Sequence, residues 1–214
     1  VSEGDEKLYW QERANLLTPV EKAFSTDIGS EVASLGIQVH GGMGYIEETG
    51  AAALYRDARI ASIYEGTNGI QAIDLVTRKL PQSDGAHVHG YIAELAETVA
   101  ELGDGGFEGM DQAVAFLQDS IDDLAATTEY LQEVLAAGMT DIALAGATPY
   151  LRLFALASGG VCLARAALAD QTPDRLALCR FFAENMAAET EALRSAITIG
   201  AEGLLLAGKS LVAT

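Results

Sequence analysis

An all-α fold is the class this sequence predicts, and three observations carry it. Only four prolines occur in 214 residues, Ala, Leu and Glu are abundant, and apolar residues recur at three- and four-residue steps. Those residue types favour helix, and that spacing gathers apolar side chains on one face of a 3.6-residue turn. The length allows one or two domains. Helices are expected in the first part, followed by an antiparallel helical bundle.

The elements follow in order. Between Thr18 and Gly41, Val20, Ala23, Phe24, Ile28, Val32, Leu35 and Val39 line one face. Thr18 is the expected cap, Pro19 fits the first helical position, and Gly41-Gly42 fits the terminus. Shorter helices are expected at about Ala51–Ser62 and from Thr67 to Leu80. Pro81–Gly90 has the composition of a linker, which divides the chain into residues 1–80, a linker at 81–90, and residues 91–214. Beyond it, helices are expected at Tyr91–Leu102, at Met110–Leu135 between the Gly103–Gly109 loop and Gly138, at Asp141–Ala169, and at Pro173–Leu206. The last opens on Thr172-Pro173-Asp174 as cap, first position and acidic first turn.

Charge excludes some partners. Thirteen Lys+Arg against 31 Asp+Glu leave a net charge of -18, with residues 1–80 at -5 and 81–214 at -13. Such a surface repels phosphate backbones and anionic membranes, so neither nucleic acid nor a membrane is an expected partner. The longest apolar stretches, such as Leu151–Gly160 and Gly203–Gly208, fall short of the roughly 18–20 residues of a membrane span, and a cytoplasmic location is expected. Cys162 and Cys179 match no metal or redox spacing and are expected as small core hydrophobes. His87-Val88-His89 has the look of a metal pair, but no second cluster completes a site; it is expected to be solvated, and no metal is assigned. The opening Val1 and the polar run Ser2–Lys7 lead to the expectation that the chain is a piece of a longer polypeptide.

Two glycine-rich breaks carry the chemistry: Gly41-Gly42-Met43-Gly44 and Glu65-Gly66-Thr67-Asn68-Gly69. Glycine lets backbone approach a ligand closely. The second break sets Glu65 before a helix starting near Thr67, where free N–H groups and the positive helix end suit an anionic or electron-rich ligand. On the residues alone, a glycine pair that merely ends a helix and a solvated helix-entry Glu65 explain the same pattern.

The strings Gln38-Val39-His40-Gly41-Gly42-Met43-Gly44-Tyr45, Tyr55-Arg56-Asp57-Ala58-Arg59-Ile60 and Ile63-Tyr64-Glu65-Gly66-Thr67-Asn68-Gly69-Ile70-Gln71, in that order, add a resemblance. The segment from about Leu16 to Leu80 resembles the C-terminal helical domain of the acyl-CoA dehydrogenase family. Residues from about Tyr91 onward look like the extra helical domain that some members append, including the methylthiopropanoyl-CoA dehydrogenase-like branch. The resemblance implies an all-α fold made of the C-terminal part of that family's four-helix bundle and a second bundle. It implies FAD as cofactor and α,β-dehydrogenation of an acyl-CoA thioester to a trans-2-enoyl-CoA.

By position, the resemblance puts the catalytic base on Glu65, whose backbone N–H would also hold the thioester oxygen. Gly66 would lie near the bound thioester, and Thr67, Asn68 and Gly69 near the FAD. Gln38, Val39, His40, Gly41 and Gly42 would meet the diphosphate and adenosine part of an FAD bound mainly to a neighbouring subunit of a homo-oligomer. His40 reads equally as a helix-end histidine packed against its neighbours. A base for so weak an acid needs burial and a raised pKa, while the nearby helix start opposes the rise; residue types leave the balance open. Arg56, Asp57 and Arg59 are expected as structural ion pairs that hold the Glu65 loop. An electron-transfer flavoprotein is the implied electron acceptor.

The family's N-terminal and β-domains are absent from this sequence, so the chain alone is expected to be inactive. Two other readings stay open: a non-catalytic helical interaction module, and an acyl-CoA oxidase with the same base and FAD.

Overall fold

A computed structural model describes residues 3–212, and it contains eleven α-helices and no strand among them. Val1 and Ser2 lie outside the described residues. The first helix, α1 (Glu3–Val39), is 37 residues long and includes the rest of the polar opening run. It runs straight through Pro19, so Thr18 is not its cap. Thr18 Oγ1 instead donates to the Ala14 carbonyl at 2.6 Å, within the helix.

A proline inside a helix costs roughly 3 kcal/mol, and tertiary contacts on both sides of Pro19 offset it. Arg13 forms a forked pair with Glu94 at 3.0 and 2.6 Å and stacks over the Tyr91 ring at 4.4 Å. Leu16, Val20 and Ala23 enter the core. The sequence pattern misses this first half of α1 because its docking is tertiary and shared with polar groups.

After α1 come α2 (Gly42–Tyr45), α3 (Ala51–Ile60) and α4 (Asn68–Asp74). The chain continues from α4 into a π-type turn, Leu75–Lys79, closed by Leu80 N–H on the Leu75 carbonyl at 3.0 Å. The stretch expected as a linker is a tight turn, Gln82–Gly85, followed at once by α5 (Ala86–Asp104). Ser83, Asp84 and Gly85 are consecutively left-handed. The turn is tied to α1 by Ser83 Oγ on Glu12 Oε1 at 2.5 Å and flanked by Gln132 of α6 (Asp111–Ala136), which donates to the Leu80 carbonyl. Leu80 and Val88, on either side of this turn, belong to one continuous core.

The His87-Val88-His89 motif is not solvated as a unit. His87 is buried, with its ring edge-on to Tyr9 and Nδ1 3.6 Å from Glu12 Oε2. Burial and then Arg13 push its pKa down. His89 is exposed and pairs with Gln132 Oε1.

The expected helix 141–169 is broken at Gly146 into α7 (Thr140–Ala145) and α8 (Ala147–Asp170). A Cβ at Gly146 would stand 2.8 Å from Ile197 Cγ2, so the break is where α10 (Thr190–Thr198) crosses closely. The expected helix 173–206 is likewise three: α9 (Pro173–Asn185), α10 and α11 (Gly200–Val212), with a 53° bend before α11. Thr172 does cap α9, accepting from Arg175 N–H. The turn between α9 and α10 is held by tertiary bonds that periodicity does not reveal: Arg152 to Glu189 at 2.7 and 2.9 Å, and Thr190 to Asp123 at 2.9 Å.

Helix α8 is the hub, packing against α1, α4, α5, α6, α9 and α10. Its 24 residues are long and apolar enough to cross a membrane, which the apolar stretches counted in the sequence understate. In this fold 61% of its most apolar window is buried inside the protein, as expected for a core helix. Tyr150 and Phe154 fill its centre, and Tyr150 hydroxyl pairs with Thr128 at 2.7 Å. Cys179 is buried as expected, but Cys162 is exposed on α8.

Candidate functional site

The second glycine-rich break forms a closed loop between α3 and α4. Asn68 N–H bonds the Ser62 carbonyl at 3.2 Å, drawing the ends of the loop together. The Ser62 hydroxyl also accepts from the Arg59 guanidinium, so Arg59 meets the start of the loop by a hydrogen bond and not by the expected ion pair, and no ion pair of Arg59 or Asp57 occurs among the described residues. Arg56 instead pairs with Glu47 at 3.3 Å on the surface, on the side of the first break. Thr67 caps α4, its hydroxyl accepting from Ile70 N–H.

Inside the loop the backbone is left-handed at two successive residues, Glu65 (φ 54) and Gly66 (φ 84). For Gly66 this is free of steric cost; for Glu65 it costs about 1–2 kcal/mol and must be held by its surroundings. Two bonds do the holding. Gln71 Nε2 donates to the Glu65 carbonyl at 3.2 Å, and Lys22 Nζ of α1 donates to the Gly66 carbonyl at 2.8 Å. With both carbonyls turned to side chains, the N–H groups of Glu65, Gly66 and Thr67 have no acceptor among the described residues. Glu65 itself is exposed, so the burial that a base requires is not provided by these residues.

The Asn68 side chain is committed to α1. Its side-chain oxygen accepts from Lys22 at 2.8 Å, while its amide donates to Ala23 carbonyl at 3.0 Å, to Thr26 at 2.9 Å and to Asp27 at 2.7 Å. These bonds fasten α4 to the middle of α1. Lys22, absent from the motif strings, was missed because its partner lies 44 residues away and a lysine on a helix ordinarily reads as solvated.

The first break lies at the far end of α1. Val39, His40, Gly41 and Gly42 are exposed, with Gln38 beside them on the last turn. His40 Nδ1 meets the Gly36 carbonyl at 2.9 Å, a helix-end contact. Gly41 ends the helix with φ 60. A Cβ built on Gly41 or Gly42 meets nothing within 4 Å, so the backbone is open to a ligand; a Cβ on Gly44 would sit 2.3 Å from the Ile37 carbonyl oxygen. The last glycine of the string thus serves packing. Beside it runs an open groove of about 690 Å³, lined by Ile37, Tyr45, Tyr55 and Arg56 together with the carboxylates of Glu47 and Glu48.

The fold does not bring the two breaks together. Asn68 docks at Ala23–Asp27 and the first break follows Val39, a separation of about 20 Å along a helix rising 1.5 Å per residue. Between them lies an apolar face. Val32, Leu35 and Val39, expected on the apolar face of α1, are 59, 57 and 85% exposed, and Leu54, Ile63 and Tyr64 are exposed as well. No group of three or more His, Cys, Asp and Glu that could hold a metal occurs among the described residues.

Comparison with known proteins agrees with this architecture. Residues 7–80 match the family model described as acyl-CoA dehydrogenase, C-terminal domain, and residues 91–207 match the one described as acetyl-CoA dehydrogenase C-terminal like. A 3-methylmercaptopropionyl-CoA dehydrogenase of Ruegeria pomeroyi is 39% identical over 92% of this chain and 35% of its own length. A butyryl-CoA dehydrogenase of Syntrophomonas wolfei is 33% identical over 58% of the chain and 21% of its own. A subunit of the caffeyl-CoA reductase-Etf complex of Acetobacterium woodii is 42% identical over 23% of the chain and 13% of its own. The chain spans about a third, or less, of the length of these relatives. By its matched domains, this chain belongs to the acyl-CoA dehydrogenase family.

Proposed function

We propose that this chain supplies the catalytic base of an FAD-dependent acyl-CoA dehydrogenase that oxidises an acyl-CoA thioester to the trans-2-enoyl-CoA. The observation that carries the reading is the Glu65 loop: a carboxylate and the unpaired N–H of the same residue, held in a left-handed turn whose carbonyls are both bonded away. The thioester oxygen accepts from Glu65 N–H, which acidifies the neighbouring Cα–H, and the Glu65 carboxylate removes that proton. An oriented donor matters because the α-proton of a thioester is a poor acid and charge grows on the oxygen in the transition state. FAD, when bound, supplies the acceptor for the β-hydrogen as hydride.

Gln38, Val39, His40, Gly41 and Gly42 would hold the nucleotide end of a cofactor. Their separation of about 20 Å from the base loop supports assigning them to the FAD of a neighbouring subunit in a homo-oligomer. The exposed apolar face between the two breaks supports a site closed by protein outside this chain, which would also bury Glu65. On this reading the chain alone is inactive. The names of the relatives support an acyl-CoA substrate, and the Etf-complex relative supports an electron-transfer flavoprotein as electron acceptor.

The test is anaerobic bleaching of the flavin by acyl-CoA in the FAD-loaded enzyme that contains these residues. Glu65→Gln should slow bleaching by about 10²–10⁴-fold, the usual contribution of a general base, with FAD content unchanged. Bleaching within a few-fold of the parent would reject Glu65 as base.

A further inference from the structure

We propose that Lys22 is a positioning residue for Glu65: its ammonium, carried on α1, fixes the peptide after Gly66 and so sets the direction of the Glu65 N–H and carboxylate. The proposal rests on the reading of Glu65 as base.

The loop is poorly held by its own sequence. Glu65 adopts a conformation that a residue with a Cβ avoids, and such a conformation persists only where the surroundings impose it. Within the loop the fixed points are the Asn68 N–H bond to Ser62, the Gln71 bond to the Glu65 carbonyl, and Thr67, whose hydroxyl and carbonyl accept from Ile70 and Gln71 N–H. None of these bonds the peptide between Gly66 and Thr67 directly. Lys22 Nζ takes that carbonyl at 2.8 Å and, with a second proton, the Asn68 side-chain oxygen at 2.8 Å. The second bond orients the Asn68 amide so that its nitrogen faces the Ala23 carbonyl and Asp27 on α1.

One ammonium with three donors therefore locks both the loop and the start of α4 to the longest helix of the fold. The Gly66 carbonyl and the Asn68 side-chain oxygen are both taken by α1, and the Thr67 N–H, trans to that carbonyl in the same peptide, points away from Lys22.

Lys22→Met keeps the length of the side chain and removes the donors. In the FAD-loaded enzyme that contains this chain, it should lower kcat by about 10–100-fold, the scale of a displaced catalytic group, with KM and FAD content unchanged. Lys22→Arg, which keeps donors at the same place, should recover most of kcat. In the 214-residue chain itself, amide exchange at Asn68 should speed up in Lys22→Met while exchange in α8 stays as in the parent. Parental kcat and parental Asn68 exchange in Lys22→Met would overturn the proposal. So would a kcat loss matched by loss of FAD or by faster exchange in α8, since that is general damage. Glu65→Gln is measured alongside: if it is fully active, the base assignment fails, and Asn68 exchange in Lys22→Met then decides alone whether Lys22 holds the loop.

Discussion

Two glycines of the first break, two residues apart, are predicted to respond oppositely to alanine. At Gly44 an added Cβ would lie 2.3 Å from the Ile37 carbonyl oxygen, 2.9 Å from His40 Cβ and 3.0 Å from the Ile37 carbonyl carbon. Ordinary contact needs about 3.4 Å or more, so α2 must lift from the end of α1 by about 1 Å. The obstacle is helix backbone, which cannot swing aside as a side-chain tip does, and overpacking of this kind costs about 1–3 kcal/mol.

At Gly42 nothing lies within 4 Å, and alanine in a helical turn gains up to about 1 kcal/mol over glycine. For a chain of this size each kcal/mol moves Tm by about 2–4 °C. Thermal unfolding followed by circular dichroism, with amide exchange at residues 37–46, should show Gly44→Ala destabilised and exchanging faster. Gly42→Ala should match or exceed the parent in stability, yet impair FAD binding in the loaded enzyme. Equal behaviour of the two variants in both assays would refute the division into a packing glycine and a ligand glycine.

Other consequences follow from single contacts. The Arg13 bond holds the Glu94 carboxyl below its usual range, with the Tyr9 bond adding to it against opposing burial. A lowered folded pKa stabilises the fold above the usual carboxylate range and is lost as pH falls through the lowered value. Arg13→Met should therefore cost stability at neutral pH, of order 1 kcal/mol for the ion pair, and the difference from the parent should shrink in acid to what the Tyr9 and Tyr91 contacts contribute; urea unfolding at pH 7 and pH 3 checks this. A thiol reagent should label Cys162 in the native protein. Cys179, buried with its pKa pushed up to about 11, should be labelled only after unfolding, as peptide mass mapping would show. At the crossing of α6 and α8, a Cβ at Gly160 would stand 2.6 Å from Leu117 Cδ2, whereas one at Gly159 meets Phe182 at 3.5 Å; Gly160→Ala should melt below Gly159→Ala.

Much of this molecule was legible in its sequence, because helix periodicity and capping are local. The Thr172-Pro173 start, the Gly41 stop, and the long amphipathic α6 all follow from such signals. What escaped is tertiary. Proline at 19 reads as a helix start until the pairing of Arg13 with Glu94, 81 residues away, is seen to carry the helix past it. Gly146 reads as an ordinary helix residue until Ile197 is found against it. Pro81–Gly90 reads as a linker, although Ser83 and His87 face Glu12 of α1 and turn the stretch into a packed corner.

The candidate site divides in the same way. Glu65, Thr67 and the glycines are visible as a motif string, and the resemblance to a family assigns them roles. Lys22 and the inward use of Asn68 depend on α1 passing under the loop, which no spacing within the motif encodes. The exposed stripe of Val32, Leu35 and Val39 is the converse case. There the periodicity predicted burial correctly for the front of the helix and ran on past the elements that cover it.

The central claim, that Glu65 takes the proton next to the thioester carbonyl, is tested most directly by proton exchange. An acyl-CoA with no hydrogen at its β-carbon, and so unable to give up hydride, is incubated in deuterium oxide with the FAD-loaded enzyme that contains these residues. Incorporation at the α-carbon is followed by mass spectrometry. The account predicts steady deuterium uptake with Glu65 present and loss of that uptake in Glu65→Gln at equal FAD content. Undiminished uptake in Glu65→Gln would contradict it.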